Sequence, residues 1–131
     1  MRSWREATCG REEEQMKPYQ HGVNSVRRWG GTTEDYQKIH DFLDESKAHF
    51  PDMRHRALLH NSFGIYLAER LFGHNVTNDV GRLVSVRDIA EQHVIEDMGR
   101  IPSVQDYLQV MPFYDWLGGP KKNRTFMNME D

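Results

Sequence analysis

The sequence predicts a mostly α-helical protein: a small helical domain of about four helices with a short β-hairpin between the second and third main helices. Two observations carry this. Apolar residues recur at the three- and four-residue spacing of a helix in stretches opened by Thr, Asp or Ser and closed by glycine or proline. Between two of those stretches, Val76, Leu83, Val84 and Val86 flank Asn78-Asp79-Val80-Gly81, a turn-forming run. A length of 131 residues suits one domain.

Taken in order, residues 1–18 are charged and without periodicity, and read as a flexible N-terminal tail. The organised pattern begins just after Met16, which makes Met16 a candidate start. Residues 19–118 form the helical domain, and residues 119–131 read as a flexible C-terminal tail. YQHGVNSVRRWGG reads as an ordered loop closed by Gly30-Gly31. Thr32 with Asp35 forms a capping-box pattern ahead of Tyr36, Ile39, Leu43 and Phe50, and Pro51 stops that helix near His49. Asp52 then caps a long run, RHRALLHNSFGIYLAERLF, apolar nearly all round and therefore placed at the centre of the domain, with Gly73 as its C-cap. Ser85 with Asp88 opens VRDIAEQHVIEDM, which Gly99 ends; Ser103 with Asp106 opens the short helix VQDYLQV, which Pro112 stops. Phe113, Tyr114, Trp116 and Leu117 are expected to fold back onto the core.

Composition excludes several classes. With 37% hydrophobic and 28% charged residues, and six Phe, five Tyr and three Trp, the chain can build a modest core. The single cysteine, Cys9, rules out an intramolecular disulfide and a cysteine-based metal site within one chain, and favours a reducing, cytoplasmic compartment. No run approaches ~18 apolar residues, and the N-terminus lacks the apolar core of a signal peptide. The net charge of −3 is not the balance of a nonspecific DNA binder.

Seven histidines stand out: His21, His40, His49, His55, His60, His74 and His93. His40 and Lys47 fall in the stripe of Tyr36, Ile39 and Leu43, and His55 shares a stripe with Leu59, Ser62, Tyr66 and Glu69. His93 has Glu96 and Asp97 one turn away, and His40 has Asp44 at the same i+4 offset. A histidine and a carboxylate one turn apart can turn both donors onto one metal ion, and ion pairing gives the same spacing. The candidate metal ligands are accordingly His40, His55, His60, His93 and Asp97. Glu69, Lys47 and Glu96 are the candidate catalytic groups.

The familiar zinc and nucleophile patterns are missing: His55 and His60 are five apart, and there is no His-Glu-x-x-His, no Gly-x-Ser-x-Gly and no phosphate-binding glycine loop. The order His21, His40-Asp41, Asp97 matches the ligand order of helical metal-dependent phosphohydrolases, although Asp41 points about 100° away from His40. Arg27 and Arg28 precede Trp29-Gly30-Gly31, and Arg54 and Arg56 open a helix. Guanidinium forks there can hold phosphate, which makes Arg28, Arg54 and Arg56 candidate cofactor-binding residues, against the plainer reading of surface ion pairs.

The strings HGVNSVRRWGG, IHDFLDESK, RHRALLHNSFGIYLAE and VSVRDIAEQHVIEDMGRIPSVQDYL resemble, in order and over roughly residues 20–110, a family of small uncharacterised bacteriophage and bacterial proteins classed as a domain of unknown function. The resemblance implies a phage or bacterial origin and a bacterial cytoplasm, and carries no activity with it. Three functions then fit the sequence. One is a hydrolase-like protein using a divalent metal ion bound by histidine and carboxylate. The second is a non-enzymatic protein that binds a host or phage protein, its histidines forming an internal network. The third, disfavoured by the acidic balance, binds nucleotide or nucleic acid through its arginines.

Overall fold

The computed structural model describes residues 18–118. Of the tails expected at 1–18 and 119–131, residues 1–17 and 119–131 lie outside the described residues, and Pro18 opens the first helix. Six α-helices and one hairpin follow in chain order: α1 Pro18–Trp29, α2 Glu34–Asp44, α3 Arg56–Leu59, α4 Ser62–Phe72, β1 Asn75–Thr77, β2 Leu83–Ser85, α5 Val86–Met98 and α6 Val104–Leu108. The protein is mostly helical, and the antiparallel hairpin, in register Val76↔Val84, sits between α4 and α5. No helix among the described residues is long and apolar enough to cross a membrane.

The core gathers Tyr36, Ile39 and Leu43 from α2, Ile65 and Ala68 from α4, and Val86, Ile89, Ala90 and Val94 from α5. Each fully buried Ile, Leu or Val contributes ~1.5–3 kcal/mol. Helices α2 and α5 pack on each other and on both α1 and α4. The hairpin is tied down by Asn78, whose side-chain amide donates to the Trp29 carbonyl and to Tyr36 Oη at 3.1 and 3.0 Å.

Helix caps follow the expected chemistry. Asn61 Oδ1 accepts from the Gly64 amide, Ser85 Oγ from Asp88, and Ser103 forms a reciprocal box with Asp106. Gly73 and Gly99, both at positive φ, close α4 and α5. At the start of α2, the Thr32 amide donates to Asp35 Oδ2 at 2.7 Å, whereas Thr33 holds the N-cap position.

Four expectations are corrected. Residues 18–29 are a helix, not a loop. The buried face of α1 is His21, Ser25 and Trp29, a one-turn repeat made largely of polar residues, which a search for apolar periodicity misses. Gly22, within this helix, marks a close approach: a Cβ there would meet the Gln37 and Thr33 side chains of the α2 region. The stripe on α2 ends at Leu43; the chain tightens into a 3-10 turn over Glu45–Ala48, and Lys47 and Phe50 are exposed.

The long central helix is broken at His60–Asn61. Asn61 is extended, ends α3 by donating to the Ala57 carbonyl, and starts α4 through its cap. Leu58, Phe63, Tyr66 and Leu71 are exposed, so α5 and not this segment is the most buried helix. Finally, Phe113, Tyr114, Trp116 and Leu117 do not fold back: all four are exposed, with Tyr114 and Trp116 stacked on each other.

Candidate metal centre

Four segments each bring two side chains one turn apart into one buried cluster: His21 and Ser25 from α1, His40 and Asp44 from α2, Arg56 from α3 with His60 just after it, and His93 and Asp97 from α5. His21, His40, His60 and His93 have no solvent exposure. The carboxyls are nearly as enclosed, Asp97 at 2% and Asp44 at 10%, while Arg56 at 15% and Glu96 at 22% reach toward solvent.

Asp97 is the hub. His60 Nε2 lies 2.8 Å and His93 Nε2 3.3 Å from its Oδ2, and His21 Nε2 lies 3.2 Å from its Oδ1. Asp44 Oδ1 completes the group, 3.5 Å from His93 Nε2 and 3.6 Å from His60 Nε2. One donor atom from each of Asp44, His60, His93 and Asp97 lies within 4.8 Å of the others. Within these four, His60–Asp97 at 2.8 Å is a hydrogen bond, while three separations, 3.3, 3.5 and 3.6 Å, exceed the 2.7–2.9 Å of a charge-assisted one. They match the ~3.3 Å edge of a tetrahedron of ligands held ~2.0–2.1 Å from a metal ion. His21 Nε2, His93 Nε2, His60 Nδ1, Asp44 Oδ2 and Asp97 Oδ1 are buried without a hydrogen-bond partner. Each orphaned buried atom costs ~1–3 kcal/mol; a cation at the four-donor point would offset it for His93 Nε2, the one of these atoms that faces both Asp44 Oδ1 and Asp97 Oδ2.

The surrounding hydrogen bonds settle where the protons are. Gln92 Nε2 donates to the His21 carbonyl at 3.0 Å and to Glu96 Oε2 at 2.9 Å, which turns its Oε1 toward Ser25. Ser25 Oγ, 2.6 Å away, must then donate to Gln92 Oε1. With its proton committed, Ser25 accepts from His40 Nε2 at 2.8 Å. Neutral His40 consequently has a bare Nδ1, which accepts from His93 Nδ1 at 3.0 Å. That leaves the Nε2 lone pair of His93 facing Asp44 and Asp97, as a metal ligand requires. His21 is set the same way: its Nδ1 donates to Glu96 Oε1 at 2.7 Å, and its Nε2 faces Asp97.

Charge states follow. Burial, with the neighbouring His93 and His21 rings, pulls His40 down to about 2, so it stays neutral. Burial likewise lowers His60, against the opposing pull of Asp97. Burial acts to lower His93 too, but the Asp44 and Asp97 carboxylates outweigh it and raise the group, so Nε2 takes a cation, proton or metal. Burial acts to raise Asp97, yet the His21, His60 and His93 rings set against it hold it well below the usual carboxylate range. Asp44 is lowered as well, burial being outweighed by His93, His60 and Lys47.

Of the residues singled out in the sequence, His40, His60, His93, Asp97, Glu96 and Arg56 meet here. His40 does so behind His93, not at the four-donor point. His55 is adjacent, its ring edge-on to His60 and its Nδ1 on Ser46 Oγ at 2.8 Å. Lys47 is exposed near Asp44. Glu69 lies elsewhere, beside exposed His74 and lining a cavity of about 350 Å³ with Arg87 and Glu91. Arg28 is exposed over the Trp29 ring, and Arg54 is exposed and paired with Asp52. Asp41 is exposed and hydrogen-bonded to Gln37, so the His-Asp dipeptide supplies no carboxylate to the centre. The assignment of ligands in sequence omitted Asp44 and His21; the i+4 offset of Asp44 from His40, and of Ser25 from His21, was the available signal.

No curated protein and no solved structure matches the chain. A family model described as a domain of unknown function, DUF6915, matches residues 16–117. The chain, with this buried histidine–aspartate cluster at its centre, therefore belongs to the DUF6915 family.

Proposed function

We propose that this protein is a metal-dependent hydrolase in which Asp44, His60, His93 and Asp97 hold one divalent transition-metal ion. The observation that supports it is the convergence of these four donors, from α2, from α5 and from the residue that follows α3, with three of their separations at 3.3–3.6 Å, wider than a charge-assisted hydrogen bond. Two imidazoles with two carboxylates suit zinc, iron, nickel or manganese. Such an ion, once bound, lowers the pKa of a coordinated water. The His21–Glu96 pair would serve as the base: Glu96 fixes the Nδ1 proton, and Nε2, beside Asp97, is the atom that would accept a proton. Among the groups around the centre, Asp44, Arg56 and Glu96 keep partial side-chain exposure, at 10%, 15% and 22%.

A second reading is supported by the closed network of Gln92, Ser25 and His40: the histidines fix the helix packing of a protein that binds a host or phage protein. Metal titration separates the two. Thermal melts of untagged, chelator-treated protein with Zn²⁺, Mn²⁺, Ni²⁺ or Fe²⁺ at ~100 Kd show one ion adding ~2.7 kcal/mol, read as a rise in Tm of several degrees. Asp97→Asn removes the rise. Unchanged melting with all four ions overturns the metal reading.

A further inference from the structure

We infer that Arg56, beside Asp97, and Lys47, three residues after Asp44, form with the bound ion a receptor for a phosphate group, so that the substrate is a phosphomonoester; this rests on the metal reading above. The arginines of the described residues differ sharply in what they do. Arg54 is exposed and grips Asp52 through Nε and Nη2, Arg87 pairs with Glu91 at 3.0 Å, Arg28 lies over Trp29, and Arg70 donates to Tyr66. Arg56 is mostly buried, its Nε has no hydrogen-bond partner, and its nearest carboxylate oxygen, Asp97 Oδ1, is 3.8 Å from Nη2. The other terminal nitrogen meets only the Met53 sulfur at 3.9 Å. An enclosed guanidinium with so little to bind carries a desolvation cost that an oxyanion relieves.

The placement selects the anion. Arg56 adjoins Asp97, one carboxylate of the four-donor group, and Lys47 lies near enough to Asp44, the other, to help keep it ionised. With an ion bound, the ion, Arg56 and Lys47 would put three positive groups around Asp44 and Asp97. A phosphoryl group offers three non-bridging oxygens to them, whereas a carboxylate offers two. In hydrolysis the water oxygen forms the new P–O bond and His21 Nε2 takes the water proton. The ester P–O bond breaks with its electron pair on the leaving oxygen, which takes the proton held by His21 Nε2, so the products are inorganic phosphate and an alcohol and His21 is restored.

The test uses the full chain loaded with Mn²⁺, with binding of inorganic phosphate, a nucleoside monophosphate and acetate read by paramagnetic broadening and calorimetry. Phosphate is expected to bind and acetate roughly 10-fold or more weakly. Arg56→Met weakens phosphate roughly 10- to 100-fold while Mn²⁺ still loads. Lys47 is exposed, so Lys47→Met, which leaves folding intact, is expected to weaken phosphate severalfold. Equal affinity for phosphate and nucleotide identifies the phosphoryl group as the recognised part. A tighter nucleotide places a nucleotide ester in the site. Acetate binding as tightly as phosphate, no phosphate binding to loaded protein, or unchanged binding in both variants overturns the receptor while leaving the metal centre standing. Failure of Mn²⁺ and the other ions to load removes both.

Discussion

His93 Nδ1 and His40 Nδ1 lie 3.0 Å apart, and because two imidazole nitrogens at that distance share one proton, His40 dictates the tautomer of His93. The chain Gln92–Ser25–His40 places that proton on His93 Nδ1 and frees Nε2. Ser25→Ala removes the acceptor of the His40 Nε2 proton without adding volume. Metal affinity, measured by chelator competition, is expected to fall ~10- to 100-fold. The ¹⁵N shifts of the His93 ring are expected to show mixed tautomers. A single Nδ1–H tautomer and unchanged affinity in the variant would show that the chain does not set the ligand.

Asp44 and Asp41 make opposite predictions although both follow His40 within one turn. Asp44 reaches the centre; Asp41 is on the surface with Gln37. Asp44→Asn should cost more metal affinity than the ~10- to 100-fold typical of losing an outer partner. Asp41→Asn should leave it within about twofold, since exposed substitutions act within ~0.5 kcal/mol. A large effect at Asp41 would restore the His-Asp ligand pattern that its exposure contradicts.

Acid should destabilise the metal-free protein. Burial, with the nearby histidines, brings His40 down to about 2, and burial with His60 brings His55 to about 4. Below ~6.5 the unfolded chain binds protons at these sites and the folded chain does not. Each site therefore removes up to ~1.4 kcal/mol per pH unit, from ~6.5 down to its folded value. His93 has the opposite sign: its folded pKa is raised, so its contribution is present at lower pH and fades as pH rises past that value. With His60 also lowered, three groups oppose one. Urea midpoints should fall between pH 6.5 and 4.5, and His55→Asn should flatten part of that slope. A midpoint that rises with acid contradicts the burial of neutral histidines.

The break between α3 and α4 depends on Gly64, where a Cβ would strike the Leu59 backbone. Gly64→Ala forces those two turns apart and should cost ~1–3 kcal/mol or more. Chemical denaturation measures it; a neutral result would mean that the turn relaxes freely.

The helices that were legible in sequence are those whose buried face is apolar and whose ends carry a cap: Tyr36, Ile39 and Leu43 on α2, Ile89 and Val94 with Ser85 and Gly99 on α5. The hairpin was legible from its turn. Helix α1 was not, because it buries His21 and Ser25 at the positions where a core helix carries leucine. The break at His60 was hidden by continuous apolar periodicity, which one asparagine side chain overrides. For the site, local spacing brought out His93 with Asp97. The meeting of His60, Asp44 and His21 around Asp97 is made by packing between elements up to 76 residues apart in sequence (21 to 97), and no local pattern encodes it.

The account rests on one ion per chain at Asp44, His60, His93 and Asp97. Elemental analysis of untagged protein, purified from metal-replete medium and again after chelation and reloading, measures this directly. It is expected to give about one equivalent of a single divalent transition metal per chain, falling to near zero in Asp97→Asn and His60→Ala variants that retain their helical circular dichroism. Folded wild-type protein that carries no metal and takes up none on reloading would contradict it.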